Sequence, residues 1–322
     1  MSLKFIDLFA GVGGIRFAFE SLGCTCVFSS EIDPYAAKTY MTNFGEDPIN
    51  DITKTPSSQL PNFDLLLAGF PCQAFSIAGK RMGFQDTRGT LFFEVARILR
   101  DKKPQAFLLE NVKGLKNHDK GHTLKTILSV LRSKELGYFV PDPQILNSKD
   151  FDVPQNRERI IIVGFRNKEY MEKFSYPTPI PCNKRLIDVL EPEVDIKYYL
   201  SQKYMDCLER HRNRHVSKGN GFGYEILDPQ GISNAIVCGG MGRERNLVRG
   251  KDILLETDEN ELRNNQMIRK LTPRECANLQ GFPSSFIIPV TDTRAYKQFG
   301  NTVTIPLIMA VATEILRAMG QE

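Results

Sequence analysis

A chain of 322 residues, 41% apolar and 25% charged, can fill one large or two modest cores, and intrinsic disorder is excluded. The longest apolar run falls far short of the roughly 20 residues that span a bilayer, and Met1-Ser-Leu-Lys4 leads straight into a strand-like segment, so a cytoplasmic protein without membrane association is expected. Seven cysteines without a CxxC pair argue against a disulfide framework, and a net charge of +4 does not by itself identify a polyanionic partner.

In chain order, Lys4–Phe9 reads as a strand and Ile15–Leu22 as a helix. Val27–Ser30, Leu65–Ala68, Ala106–Leu109 and Ile160–Phe165 read as further buried strands, with helices over Tyr35–Phe44, Leu91–Lys102 and Thr123–Leu136 between them. The alternation predicts an α/β fold, a doubly wound and mostly parallel sheet with helices on both faces. Pro177, Pro179 and Pro181 break the rhythm and mark a boundary. Residues 188–290 are rich in Gly, Asn and Arg without βα alternation, and Pro306–Met319, apolar at helical spacing, is expected to return to the first domain. The expected division is a catalytic and cofactor-binding domain over 1–187, completed by 295–322, and a smaller domain over 188–294.

Ligands of doubly wound sheets bind beyond the carboxyl ends of the strands. There the sequence places Phe9-Ala-Gly-Val-Gly-Gly14, then Glu31, then Gly69-Phe-Pro-Cys72, then Glu110-Asn-Val112. The glycine turn suits close approach of a nucleotide-type cofactor, but Arg16 stands where a dinucleotide fingerprint needs a small residue, so a cofactor without a pyrophosphate fits better. Glu31, twenty residues after Gly11, is placed to accept from two ribose hydroxyls. A lone Cys72 could equally be an inert core thiol. Glu110 at a neighbouring strand end, with Arg157 and Arg159 leading into another, shifts the reading toward a nucleophile, a proton donor and an anchor on one rim.

The ordered set Asp7–Gly14, Glu31, Asp51, Gly69–Ser76, Gly89–Phe93, Glu110–Val112, Gln155–Ile160, Arg274–Pro283 and Gln298–Val303 resembles the DNA (cytosine-5) methyltransferases, nearly full length and closest to the compact bacterial restriction-modification type. The resemblance implies transfer of a methyl group from S-adenosylmethionine to carbon 5 of a flipped-out cytosine in duplex DNA, without a metal. It implies that Cys72 adds to carbon 6, Glu110 donates to ring nitrogen 3, Arg159 anchors the base carbonyl, Arg157 supports the site and Asn111 holds the exocyclic amine. For the cofactor it implies Phe9, Ala10, Gly11, Gly13, Gly14, Glu31, Ile32, Asp51, Ile52, Pro71, Leu91, Asn301 and Val303. A transfer-RNA methyltransferase on the same scaffold and a catalytically silent DNA-binding protein are the alternatives. Phe75-Ser76 and the long variable region disfavour the first, and the presence of Cys72, Glu110 and Arg159 disfavours the second.

Base flipping needs a mobile element over the DNA, and the stretch from Ser76 to Gly89 offers glycines with Lys80, Arg81 and Arg88 for phosphates. In the second domain Arg210, Arg212 and Lys218 are expected on phosphates, some of Arg243, Arg245 and Arg249 on base edges, and Phe222 in the gap left by the cytosine. The pairs His118/His122 and His211/His215 have helical metal-ligand spacing but lack further ligands, so no zinc site is expected. A monomer acting on nucleoid DNA, with a restriction endonuclease as possible functional partner, completes the expectation.

Overall fold

The computed structural model describes residues 2–71, 91–217, 219, 223–238, 243–250 and 264–321. Cys72, Ser76, Lys80, Arg81, Arg88, Lys218 and Phe222 lie outside the described residues. Contacts divide the chain into a first unit of 1–147, 158–179 and 302–322, and a second of 148–157 and 180–301. The sequence reading instead drew its divisions after residues 187 and 294.

The first unit carries strands β1 (Lys4–Leu8), β2 (Thr25–Ser30), β3 (Leu65–Gly69), β4 (Ala106–Val112), β5 (Gln144–Asn147) and β7 (Glu158–Phe165). Its helices are α1 (Gly14–Glu20), α2 (Pro34–Phe44), α3 (Leu91–Lys102), α4 (His122–Leu131), α5 (Lys168–Lys173) and α9 (Ile305–Ala318). The strands form one sheet in the order β2-β1-β3-β4-β7-β5. Pairing is parallel from β2 through β4, while β7 runs antiparallel to both β4 and β5. The mostly parallel doubly wound sheet is therefore present.

Period-two alternation sends successive side chains to opposite faces. Ile6, Leu8, Leu66, Ala68, Phe107, Leu109, Ile160 and Ile162 pack in one core with Phe92, Val95, Ile98 and Leu99 of α3 and Ile127 and Leu131 of α4. On the other face the Phe5 ring meets Phe19 of α1 at 5.8 Å, and α9 lies on α1. Each fully buried Leu, Ile or Phe contributes about 1.5–3 kcal/mol, so this two-faced burial dominates the unit's stability. The apolar tail helix expected from sequence is α9, and it returns to the first unit as expected.

Two local expectations are corrected. The helix expected over Thr123–Leu136 ends at Leu131, because Arg132 turns its guanidinium to the Val140 carbonyl and the Asp142 carboxylate. The edge strand β5 was not foreseen; it is four residues long and enters from a Pro-x-Pro stretch.

The second unit contains β6 (Gln155–Asn156), β8 (Ser233–Asn234), β9 (Leu247–Arg249) and β10 (Ile268–Lys270), with β6 parallel to β8 and β9 antiparallel to β10. Its helices are α6 (Gln202–Val216), α7 (Pro273–Leu279) and α8 (Asp292–Asn301). Met205 and Leu208 of α6 pack with Leu200, Leu247 and Ile268 in a small core. The region 188–290, read from sequence as lacking βα alternation, thus contains helices α6 and α7. Ser201 caps α6 through the Tyr204 N–H, and a Thr272/Glu275 capping box with Pro273 starts α7.

Candidate active site

The chain order β1, β2, then β3 on the other side of β1 creates a switch point between β1 and β3, where a crevice opens beyond the strand ends. The turn after β1 fills that position. Phe9, Gly11 and Gly13 all take left-handed backbone, with φ of 58°, 57° and 84°. At Gly13 a Cβ would lie 2.2 Å from the Phe44 ring, so this position admits no side chain. The Gly13 N–H donates to the Ala10 carbonyl at 2.8 Å and the Ala10 N–H to the Ser30 carbonyl at 2.9 Å, tying the turn to the end of β2.

Glu31 follows β2 directly. Its Oε2 accepts from the Gly11 N–H at 2.8 Å, and its Oε1 from the Ile32 and Asp33 N–H groups, each at 2.7 Å. A carboxylate has about four acceptor sites, so one is left for a ligand hydroxyl. Of the two ribose hydroxyls expected at Glu31, the second would share an oxygen with a backbone donor. Beside it Ile32 is 67% exposed, an apolar face turned to solvent. Asp51 is half-buried, accepting from Thr53 and pairing with Lys54 at 3.1 Å, and these contacts hold its carboxyl below the usual range. Ile52 is buried in the core of the unit, Pro71 is exposed after β3, and Leu91 opens α3 half-buried.

Glu110 and Arg159 lie on β4 and β7. Glu110 pairs in register with Gly69 of β3 and Ile161 of β7, while Val112 pairs with Arg159. Glu110 and Arg159 are therefore diagonal neighbours on one face, within reach of long side chains. The Arg159 Nε stands 2.8 Å from Glu110 Oε1, with the side chains 14% and 11% exposed. Gly69 lies beside this pair, where a Cβ would make an ordinary 3.5 Å contact with Glu110 Oε2. Asn111, pointing oppositely, donates to the Phe70 carbonyl at 2.8 Å and accepts from the Val112 N–H at 2.8 Å. It pins the segment leading to Cys72, so its amide is committed to backbone.

Antiparallel β7 is what brings Arg159 here. Were β7 parallel to β4, its first residues would lie at the opposite rim. Arg157, two residues earlier, belongs to the second unit and is fully buried, donating to the carbonyls of Ile236 at 2.6 Å and Gly300 at 3.0 Å. Of the two arginines expected on the rim, Arg159 is the one paired with Glu110. Gln155 joins the Arg157 network through the Ile236 N–H and the Leu279 carbonyl, and Gln280 through the Phe299 carbonyl. The alternation of Arg157 and Arg159 was visible in sequence, but not the burial of Gln155 and Arg157.

Asn301 ends α8 in the second unit, where its Oδ1 accepts from the Cys238 thiol at 2.8 Å. Val303 is buried in the first unit. Arg210 and Arg212 are exposed on α6, Arg212 lying over the Tyr224 ring at 5.3 Å. Arg243, Arg245 and Arg249 are all exposed. His211 and His215 stack at 4.5 Å, and no cluster of three or more metal-binding side chains occurs among the described residues.

Sequence reasoning also passed over the character of Asp7. It is 0% exposed in β1, beneath the glycine turn, and neither carboxyl oxygen has a hydrogen-bond partner. Burial pushes its pKa up to about 8, against the pull of the Arg16 charge and backbone N–H, the latter short of hydrogen-bond geometry. Arg16 itself is buried against Glu20, Glu46 and Tyr40, with its guanidinium over Phe44 at 4.6 Å.

Residues 3–317 match the family described as C-5 cytosine-specific DNA methylase. The chain belongs to this family and is a DNA (cytosine-5-)-methyltransferase. It is 59% identical to the Type II methyltransferase M.HpaII of Haemophilus parainfluenzae, over 98% of this chain and 90% of that one. It is 49% identical to the Type II methyltransferase M.DsaV of Dactylococcopsis salina, over 98% and 86%. Among solved structures the fold is shared with an Entamoeba histolytica methyltransferase, at 19% identity and a TM-score of 0.76 over 99% of both chains. It is also shared with the S. pombe Dnmt2 methyltransferase, at 22% identity and a TM-score of 0.74 over 98% of this chain and 99% of that one.

Proposed function

We propose that the protein methylates carbon 5 of a flipped-out cytosine within a specific duplex DNA sequence, through a covalent adduct of Cys72, as the protective methylase of a Type II restriction-modification system. The observation that carries this reading is the Arg159–Glu110 pair at the end of β4, diagonal across β7 and in register with Gly69, three residues before Cys72. The first unit would hold the chemistry and the second the reading of DNA.

The residues around the glycine turn fit a nucleoside. Glu31 keeps an acceptor site for a ribose hydroxyl, and the exposed Ile32 and half-buried Phe9 offer apolar faces to a base. Asp51 accepts the adenine amine, Gly11, Gly13 and Gly14 allow close approach, and Val303 closes the methionine side. S-adenosylmethionine, when bound, supplies an electrophilic methyl group.

Cytosine carbon 5 is too weak a nucleophile by itself. The Cys72 thiolate adds to carbon 6, and Glu110 delivers a proton to ring nitrogen 3, so electron density rises at carbon 5. Arg159 holds Glu110 in place and anchors the base carbonyl. Once carbon 5 carries the methyl group, loss of its proton to water expels the Cys72 thiolate, and return of the nitrogen-3 proton to Glu110 restores the aromatic ring. Asn111 acts by fixing the Phe70 carbonyl beside the nucleophile, and Arg157 by fixing the backbone at Ile236 and Gly300.

The test is a duplex with 5-fluorocytosine at the target, where fluorine cannot leave as the proton does. A stable protein–DNA adduct is expected with the methyl donor present, mapping to Cys72; an equal adduct with Cys72→Ser defeats the nucleophile assignment. A separate expectation concerns the cofactor: Glu31→Ala should weaken its binding by about 1.5–3 kcal/mol, the range for hydrogen bonds to a charged group. DNA affinity should change far less, and unaltered cofactor affinity in calorimetry removes Glu31 from the pocket.

A further inference from the structure

The geometry points to Arg243 as the side chain that reads a guanine of the target sequence, with Tyr296 as the rigid platform that aims it. This inference rests on the proposed DNA function and commits it to one residue.

A base-reading arginine needs its guanidinium held by the face while its N–H edge stays free, because the edge makes the bidentate contact with guanine O6 and N7. Arg243 has that arrangement. Its Cζ lies 5.2 Å from the centroid of the Tyr296 ring, and among the described residues its guanidinium donates to no acceptor and pairs with no carboxylate. The platform is fixed: Tyr296 is 9% exposed on α8, and its hydroxyl donates to the Leu271 carbonyl at 2.6 Å. The backbone is fixed as well. The neighbouring Glu244 is buried, bound by Tyr204 at 3.1 Å and Lys270 at 3.4 Å, and its carbonyl accepts from the Glu225 N–H at 2.9 Å.

Arg243 and Tyr296 border a narrow pocket of about 10 Å³, too small to admit a base, whose walls include Ile236, Val237 and Leu271. A guanine edge therefore meets the exposed Arg243 fork at the surface, a directed contact that discriminates rather than a general attraction to phosphate. Arg245 and Arg249, equally exposed, have no aromatic ring beneath them among the described residues. Arg212 does lie on a ring, Tyr224, but it stands on α6 between Arg210 and Arg214, an arrangement suited to a phosphate backbone.

The experiment is methylation profiling over a randomised duplex library with the full chain and the methyl donor. Arg243→Ala is expected to lose discrimination at one guanine position by roughly 5- to 150-fold, leaving the other positions intact. Tyr296→Leu should relax the same position while keeping the arginine, and Tyr296→Phe, which preserves the platform, should retain it. If Arg243→Ala is inactive, Arg243→Lys and Arg243→Gln carry the decision through the same profile. Wild-type preference in an active Arg243 variant overturns the inference, as does uniform weakening over all sequences with a flatter salt dependence, the mark of a phosphate contact. A wild-type protein that methylates no duplex overturns the proposed function instead.

Discussion

Arg159→Ala is expected to lower the single-turnover methylation rate by at least 10²–10³-fold and the unfolding free energy by about 3–5 kcal/mol. Both effects come from one contact. The Arg159 Nε lies 2.8 Å from Glu110 Oε1 with both side chains largely out of solvent, so removing the guanidinium leaves a carboxylate without its countercharge. The catalytic loss follows because Glu110 can then rotate away from the ring nitrogen it is proposed to protonate, and because the base carbonyl loses its anchor. Arg159→Lys restores the charge but not the planar fork, so it should recover much of the stability and little of the rate. Urea unfolding and rapid-quench methylation separate the two. A rate within threefold of wild type for Arg159→Ala would remove Arg159 from the chemistry.

What the sequence disclosed about this pair, and what it withheld, follows from physical scale. β1, β3, β4 and β7 are runs of apolar residues buried on both faces, so they announce themselves locally. The direction of β7 does not, because strand polarity is decided by a chain path through 148–157 that carries no periodic signal. Arg159 was placed on the correct rim without knowledge that β7 is antiparallel. For Arg157 the alternation was right and the destination was not, since its partners Ile236 and Gly300 are 79 and 143 residues away. Helix α6 escaped notice because only Met205 and Leu208 are buried along its fifteen residues, too few to set a hydrophobic period. Helix α7 was legible in Thr272-Pro-Arg-Glu275, a capping box with proline at the first turn, yet the sequence reading took only Arg274–Pro283, as a family motif. Glu31 was found from its spacing to Gly11, but the three backbone N–H groups that its carboxylate already serves depend on the left-handed turn and could not be read from composition.

Asp7→Asn is expected to stabilise the protein at pH 8 and to leave stability nearly unchanged near pH 4. The native carboxyl is fully buried without a hydrogen-bond partner, and burial raises its pKa from 3.8 to about 8. The sign follows from proton counting. Between those values the folded state keeps a proton that the unfolded state has released, so stability falls as pH rises, by about 1.4 kcal/mol per unit where the difference is a full proton. The favourable contribution is therefore fully present below about pH 4 and lost as pH climbs through 8. Asparagine keeps the shape and cannot ionise, so the variant should lack this slope, and the gap between the two unfolding curves should widen steadily over the window. The same residue stands two positions before Phe9, with the Glu31 charge among those acting on it, so ionisation above pH 8 adds a second negative charge near the turn proposed to hold the cofactor. Cofactor affinity of the wild type should then weaken at high pH while that of Asp7→Asn holds. Denaturant titrations at pH 5, 6, 7 and 8 decide the point: parallel curves for the two proteins would mean that Asp7 is charged in the fold, with a compensating partner near β1.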